Sequence, residues 1–186
     1  MKNLRLILFV GLLAVLVLPG VGMADQTSDD LDDLFDRLKV STNAFEAVAI
    51  EGLIWKVWIH RGVAEVDQNM TLGIVAMSEG NFAGSLSFFD RVVRGDPGFA
   101  EGWNKRATVY YLMGNFDASV ADIGKTLALE PRHFGALSGM GLIYDAIGKR
   151  AAAVKVWEKA LEINPHMAGL RHRIEEIRAE NKGNPI

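Results

Sequence analysis

Histidine and carboxylate side chains are the groups in this sequence that could bind a metal ion or carry out acid–base catalysis. The 186 residues contain 23 acidic residues and four histidines. No two histidines have the compact helical spacing of a zinc site, and the acids are mixed with lysines and arginines, as on solvated helix surfaces. We therefore predict no catalytic residue, no metal site and no cofactor. The histidines are His60, His133, His166 and His172.

Other chemistry is also unsupported by the sequence. It contains no P-loop, no GxGxxG after a strand and no GxSxG. The absence of cysteine excludes disulfides, thiol catalysis and cysteine-ligated metals, and a net charge of -3 does not favour a nucleic-acid partner. An enzyme or a small-ligand carrier is the less favoured alternative, and it would require a deep enclosed pocket with converging polar groups.

The N-terminus has the three parts of a secretory signal peptide. Lys2 and Arg5 precede an uncharged apolar run over residues 6–18, and a small-residue pattern ends at Ala24. As a helix the run would extend roughly 20 Å, which is short of the roughly 30 Å hydrocarbon core. We predict that residues 1–24 are removed and that the mature protein is periplasmic or secreted, without a membrane span. The alternative is an uncleaved N-terminal anchor.

Three glycines and three prolines recur at an interval of 34 residues. Two residue types that share one period indicate an internal repeat, and 34 residues is the period of a two-helix unit. This register divides the chain into units at 66–99, 100–133 and 134–167. The repeated residues are Gly80, Gly114 and Gly148, together with Pro97, Pro131 and Pro165.

The three units resemble the tetratricopeptide repeat (TPR). The third unit follows the family pattern most fully, whereas the first has Asn69 in place of an aromatic residue and Gly95 in place of an aliphatic one. In the second unit Arg106 stands where the family usually has Leu. The resemblance implies an all-α, right-handed superhelical solenoid of helix hairpins. Matching residues include Trp103, Ala107, Tyr110 and Ser119 in the second unit, and Leu137, Gly141, Tyr144, Ala153, Trp157 and Ala160 in the third.

Helical segments flank the repeats on both sides. Residues 25–65 contain two helical patterns, over 29–39 and about 43–60, which we expect to stack on the first repeat as a degenerate unit. Trp55 and Trp58 fit a core better than a ligand site. Residues 168–186 predict a capping helix and a frayed tail.

Three stretches carry a narrower resemblance. EGLIWKVWIHRG (51–62), EGWNKRATVYYLMG (101–114) and HFGALSGMGLIY (133–144) are similar to small exported TPR proteins of alphaproteobacteria. This similarity implies export and no particular activity.

The resemblance also implies a partner-binding groove, because the first helix of each TPR unit lines the concave face. Its apolar members suit an apolar peptide or a partner helix, and Lys105 is its one clear base, so we predict no clamp for a carboxylate terminus. We predict an adaptor or scaffold for a protein or peptide partner. The alternatives are a groove covered by the N-terminal helices, or a self-associating structural subunit whose groove is closed by a second copy. The groove residues are Asp67, Met70, Ile74, Met77, Glu101, Asn104, Lys105, Thr108, Tyr111, Leu112, Ser138, Leu142 and Asp145.

Overall fold

The computed structural model describes residues 29–183, with side chains described for residues 30–180. Within that range the chain is all-α and has no strand, as the sequence predicts. The predicted signal peptide lies outside the described residues. The helices are α1 (Asp29–Val40), α2 (Ala44–Ile59), α3 (Ala64–Ser78), α4 (Phe82–Gly95), α5 (Ala100–Leu112), α6 (Phe116–Leu129), α7 (Phe134–Ala146), α8 (Arg150–Ile163) and α9 (Ala168–Gly183).

Helices α3 to α8 form three successive antiparallel pairs, one in each 34-residue unit. The repeated glycine sits in the turn of each pair with a left-handed backbone: φ is 75° at Gly80, 73° at Gly114 and 75° at Gly148. An L side chain rarely adopts this conformation, so glycine recurs where each first helix ends. Asn81 and Asn115 then start the second helices, because their side chains accept backbone N–H bonds from the first turn.

Small residues allow the two helices of a unit to approach closely. The Ser85 hydroxyl donates to the carbonyl of Gly73 at 2.8 Å, and Ser119 donates to Ala107 at the same distance. In the third unit a Cβ on Gly141 would lie 2.1 Å from Nε1 of the fully buried Trp157. The recurring small residues of the sequence are therefore the contact points inside each hairpin.

Arg106 joins the first repeat to the second at the position where the family usually has Leu. Its guanidinium donates two hydrogen bonds to Asp122, at 2.7 and 2.8 Å, and a third to Asp90 at 2.8 Å. Asp122 lies in α6 and Asp90 in α4. Hydrogen bonding to Asp122 raises the pKa of Arg106 further above its ordinary value. A charged network thus replaces an aliphatic contact at this junction.

Helices α1 and α2 form an N-terminal hairpin that lies across the second and third repeats. The expectation that this pair stacks on the first repeat was wrong. The apolar face of the hairpin packs against Phe134 and Leu137 at the start of α7. Gly135, between them, has no side chain and leaves room for the ring of Trp55. The hairpin contributes Leu31, Leu34, Phe35, Leu38, Ala47, Ile50, Ile54 and Trp58 to this shared core.

Polar contacts fix the hairpin along its length. Arg132 pairs with Asp32 at 2.5 Å, and Asn164 donates to Glu51 at 3.0 Å. A ring nitrogen of His166 lies 2.9 Å from the carbonyl oxygen of Leu38. These contacts reach the far end of the third repeat, so the hairpin spans the array from α5 to α9.

None of the helices between residues 29 and 183 is both long and apolar enough to cross a membrane.

Candidate peptide-binding groove

A cleft of about 180 Å³ opens between α5 and α7 on the predicted groove face. Thr108 and Tyr111 of α5 form one wall, and Ser138 and Leu142 of α7 form the other. The cleft exists because α7 presents small residues here, among them Gly139. Asn104 also borders it, and the exposed Leu112 follows Tyr111 at the end of α5. The structure therefore brings five of the predicted groove residues together around one mainly apolar opening.

The α3 residues of the predicted groove take other roles. Met70 is only 1% exposed and belongs to the core of the first repeat, against which Ile74 and Met77 pack half-buried. Asp67 accepts hydrogen bonds from the backbone N–H groups of Arg61 and Gly62, at 2.7 and 3.0 Å. Asp67, Met70 and Ile74 also border a separate cleft of about 170 Å³ beside the end of α2, to which Met70 contributes little exposed surface. Asp67 fixes the turn from α2 into α3.

Glu101 is likewise buried, at 1% exposure, where the sequence predicted an accessible groove residue. One carboxylate oxygen accepts a hydrogen bond from Asn104 at 2.9 Å and lies 2.8 Å from Nε2 of His133. The other lies 3.0 Å from Nζ of Lys105. Because Nδ1 of His133 accepts the backbone N–H of Ala136 at 3.0 Å, the neutral ring carries its proton on Nε2 and donates it to Glu101.

Burial alone would raise the pKa of the Glu101 carboxyl group. The charge of Lys105, together with hydrogen bonds to His133 and Lys105, outweighs burial and lowers that pKa below its ordinary value. Glu101 is therefore a carboxylate at neutral pH, paired with Lys105 and buried away from solvent. This cluster stabilises the junction between α5 and α7.

Two tryptophans of α2 cover the cluster. The ring of Trp58 stacks on His133, with centroids 4.0 Å apart and planes 9° from parallel. Trp55 lies beneath the ammonium of Lys105, 5.4 Å from ring centroid to Nζ, and its edge contacts Gly135. The N-terminal hairpin therefore covers the end of the groove that holds Glu101 and Lys105. Trp58 is core, as the sequence predicts.

A larger opening of about 540 Å³ lies on the other side of α2, toward α9. Glu51 of α2 borders it, together with Leu142, Leu170 and Arg173. Arg173 donates to Asp145 at 2.8 Å, so this predicted groove acid is engaged in an ion pair. The sequence did not reveal this opening, because α9 reads as a capping helix and α2 as part of another unit. Leu170 and Arg173 lie three residues apart on one face of α9, and that spacing was the available sign that α9 borders an opening.

Comparison with known proteins supports the assignment of the fold. A family model for the tetratricopeptide repeat matches residues 135–167, which is nearly the whole third unit. A TPR repeat-containing protein of Rhizobium etli is 35% identical over 154 residues, covering 83% of this chain and 76% of the relative. The chain belongs to the tetratricopeptide repeat family. Mouse DnaJ homolog subfamily C member 3 is 32% identical to this TPR protein over 102 residues, but that match covers only 20% of the mouse protein.

Solved structures show the same fold at lower identity. The first TPR of Spaghetti (RPAP3), bound to the HSP90 peptide SRMEEVD, superposes with a TM-score of 0.60 at 20% identity, over 63% of this TPR protein and 93% of that chain. MamA superposes with a TM-score of 0.52 at 21% identity, over 75% and 81% of the two chains. The TPR array is a protein-interaction fold, and the α5–α7 cleft is an accessible part of its predicted groove.

Proposed function

We propose that this TPR protein is an exported adaptor that binds an apolar segment of a partner protein in the cleft between α5 and α7. The observation that carries the proposal is that this cleft remains accessible although α2 covers the adjoining part of the groove. Its walls are largely uncharged, with Tyr111 and Leu142 as the large contact residues. Such a short groove suits a few apolar side chains at micromolar affinity, about -8 kcal/mol.

The cleft is poorly suited to an acidic carboxylate terminus. The Spaghetti TPR was solved with the acidic peptide SRMEEVD. In this chain Lys105 pairs with the buried Glu101 and lies against Trp55. A bound carboxylate would have to compete with Glu101 for the ammonium group, so we expect selection for apolar side chains rather than for a terminal charge.

A comparison of partner capture by the wild-type protein and by the Tyr111→Ala variant tests whether the cleft is the binding site. Immobilised wild-type protein is incubated with cell-envelope extract, and bound proteins are identified by mass spectrometry. A partner of the cleft is retained by wild type and lost with Tyr111→Ala. Met113→Ala is the matched control, because Met113 is exposed at the end of the same helix. Equal retention by both variants would refute the cleft as the binding site.

Export is supported by the signal-peptide pattern over residues 1–24. Cell fractionation followed by N-terminal sequencing of the purified protein tests it. We expect a periplasmic or secreted chain that begins at Asp25. A membrane-associated protein that retains residues 1–24 would instead support the uncleaved anchor.

A catalytic role is not part of the proposal. The one histidine–carboxylate pair in the groove region, His133 with Glu101, is sealed by Trp58 and has no exposed surface from which to reach a substrate. Glu101 is also paired with Lys105.

A further inference from the structure

The outer face of α2 is apolar and exposed. The helix has three charged residues among its 16, namely Glu46, Glu51 and Lys56, so it is hydrophobic on all sides. A helix of this kind is normally buried on all sides, yet only one side of α2 contacts the repeats. We define the α2 outer face as Phe45, Val48, Ala49, Gly52, Leu53 and Lys56, all of which are exposed.

We propose that the α2 outer face is a homodimer interface, in which α2 helices from two copies pack antiparallel about a two-fold axis. With the axis between Ala49 and Gly52, Ala49 of each copy faces Gly52 of the other. The helices can then approach closely, because these side chains are the smallest available and a Cβ at Gly52 meets no atom within 4 Å. Binding through this face leaves the α5–α7 cleft open.

The remaining residues of the face are self-complementary in this arrangement. Val48 of one copy faces Leu53 of the other, so that an apolar contact flanks each side of the small-residue crossing. Phe45 faces Lys56, where the ring can accept the ammonium group in a cation–π contact. A two-fold axis makes each of these contacts twice, as an isologous interface requires.

The area of the face is sufficient for a weak, specific dimer. Phe45, Val48 and Leu53 are 90%, 70% and 47% exposed. Together with Ala49, Gly52 and Lys56 they offer roughly 500 Å² per copy, so that a pair would bury about 1,000 Å², near the lower limit for specific interfaces. We therefore expect dissociation in the micromolar range.

Charge at the border argues against a lipid surface as the occupant. The neighbouring edge carries Asp33, Arg37 and Glu46, which form a local ion-pair network with a net negative charge. Amphipathic helices that bind anionic lipids carry a polar face rich in lysine and arginine. A second copy of the chain needs no such basic edge.

Matched glycine substitutions test the interface. Gly52 and Gly124 are both exposed helix glycines whose Cβ would meet nothing within 4 Å. Molar mass of the purified protein is measured by sedimentation between about 1 and 100 µM. Wild type should shift toward twice the monomer mass with concentration. Gly52→Glu and Val48→Glu should each weaken association at least tenfold at unchanged helicity, whereas Gly124→Glu should match wild type.

Cross-linking provides a second readout, because the natural chain has no cysteine. A short bis-maleimide should join Gly52→Cys into a covalent dimer and leave Gly124→Cys monomeric. Three results would overturn the proposal: a wild-type monomer at every concentration, equal association of Gly52→Glu and Gly124→Glu, or sedimentation of the monomer with phosphatidylglycerol vesicles. The first points to another protein as the occupant, and the last to a membrane.

Discussion

The absence of a Cβ at Gly141 sets how closely the two helices of the third repeat can pack. The indole of Trp157 lies directly over its backbone and donates to the carbonyl of Ser138 at 3.1 Å. Any side chain at this position would occupy the space of a fully buried ring, which cannot move without opening the core of the third repeat.

Gly141→Leu should therefore lower the free energy of unfolding by about 3 kcal/mol. Gly124→Leu is the control, since its Cβ projects into open space on α6. There we expect no loss, because leucine favours a helix more than glycine does. Chemical denaturation measures both variants. Equal stabilities of the two would mean that the register of the repeats is misassigned.

The carboxylate of Glu101 makes stability depend on pH. Its pKa is lowered in the folded protein from an ordinary value of 4.5. The stabilisation is therefore fully present above pH 4.5 and is lost as the pH falls through the lower folded value. Glu101→Gln removes that titration and should reduce stability at pH 7 by about 2 kcal/mol. Below pH 4.5 its stability should vary less with pH than that of wild type. Parallel pH profiles would contradict the assignment of Glu101 as a buried carboxylate.

At the scale of the elements, the N-terminal hairpin shares a core with the second and third repeats, and aromatic contacts lie at the centre of that core. Trp58 stacks on His133 and also packs beside Phe35 and Phe134. The hairpin's apolar contacts go to the repeats, whereas its outer face is exposed. Loss of one central ring should therefore release the hairpin without unfolding the array.

Trp58→Ala should cost about 3–5 kcal/mol of docking free energy. The α2–α3 linker and the segment around Thr42 should become sensitive to limited proteolysis, while α3 to α9 resist it. Trp157→Ala is the contrasting variant, because Trp157 is the core of the third repeat itself. Digestion of the repeats in Trp58→Ala would show that the hairpin and the array unfold together.

The sequence predicted the repeats better than it predicted the position of the hairpin. Gly80, Gly114 and Gly148 are strong local signals, because a left-handed turn is decided within a few residues. The position of α2 depends on its contacts with Phe134 and Gly135, which are far away in sequence. Packing between repeats would by itself explain an apolar residue and a glycine at these positions, so nothing in the sequence indicates that α2 docks there. The burial of Glu101 follows from that docking, so the groove prediction failed where the hairpin lies.

At the scale of the whole molecule, the hairpin changes how stability is distributed. Repeat arrays usually have contacts only between neighbouring units, and their ends can unfold separately. Here Asp32 contacts the second repeat, and Glu51 and Leu38 contact the far end of the third repeat. With no cysteine, these contacts and unit stacking supply the stability.

We therefore expect urea unfolding of the wild-type protein to be a single transition that coincides when followed by circular dichroism and by tryptophan fluorescence. Trp58→Ala should separate the two curves and lower the apparent m-value, because the hairpin no longer couples the repeats. Because the chain has no cysteine, added reductant should leave the unfolding curves of both proteins unchanged. Non-coincident curves for the wild-type protein would show that the hairpin does not make unfolding cooperative.

The distance in sequence between the hairpin and its partners also dictates the order in which the protein can be completed. Arg132 and His166 follow the hairpin residues that they hold by 100 and 128 positions. At a synthesis rate of 5–20 residues per second, the hairpin waits roughly 5 to 25 s before its docking surface exists. During that interval the apolar residues that the repeats later cover, Trp58 among them, have no native partner. Among the described helices, α1 and α2 are made first but can dock only after α8 has been synthesised.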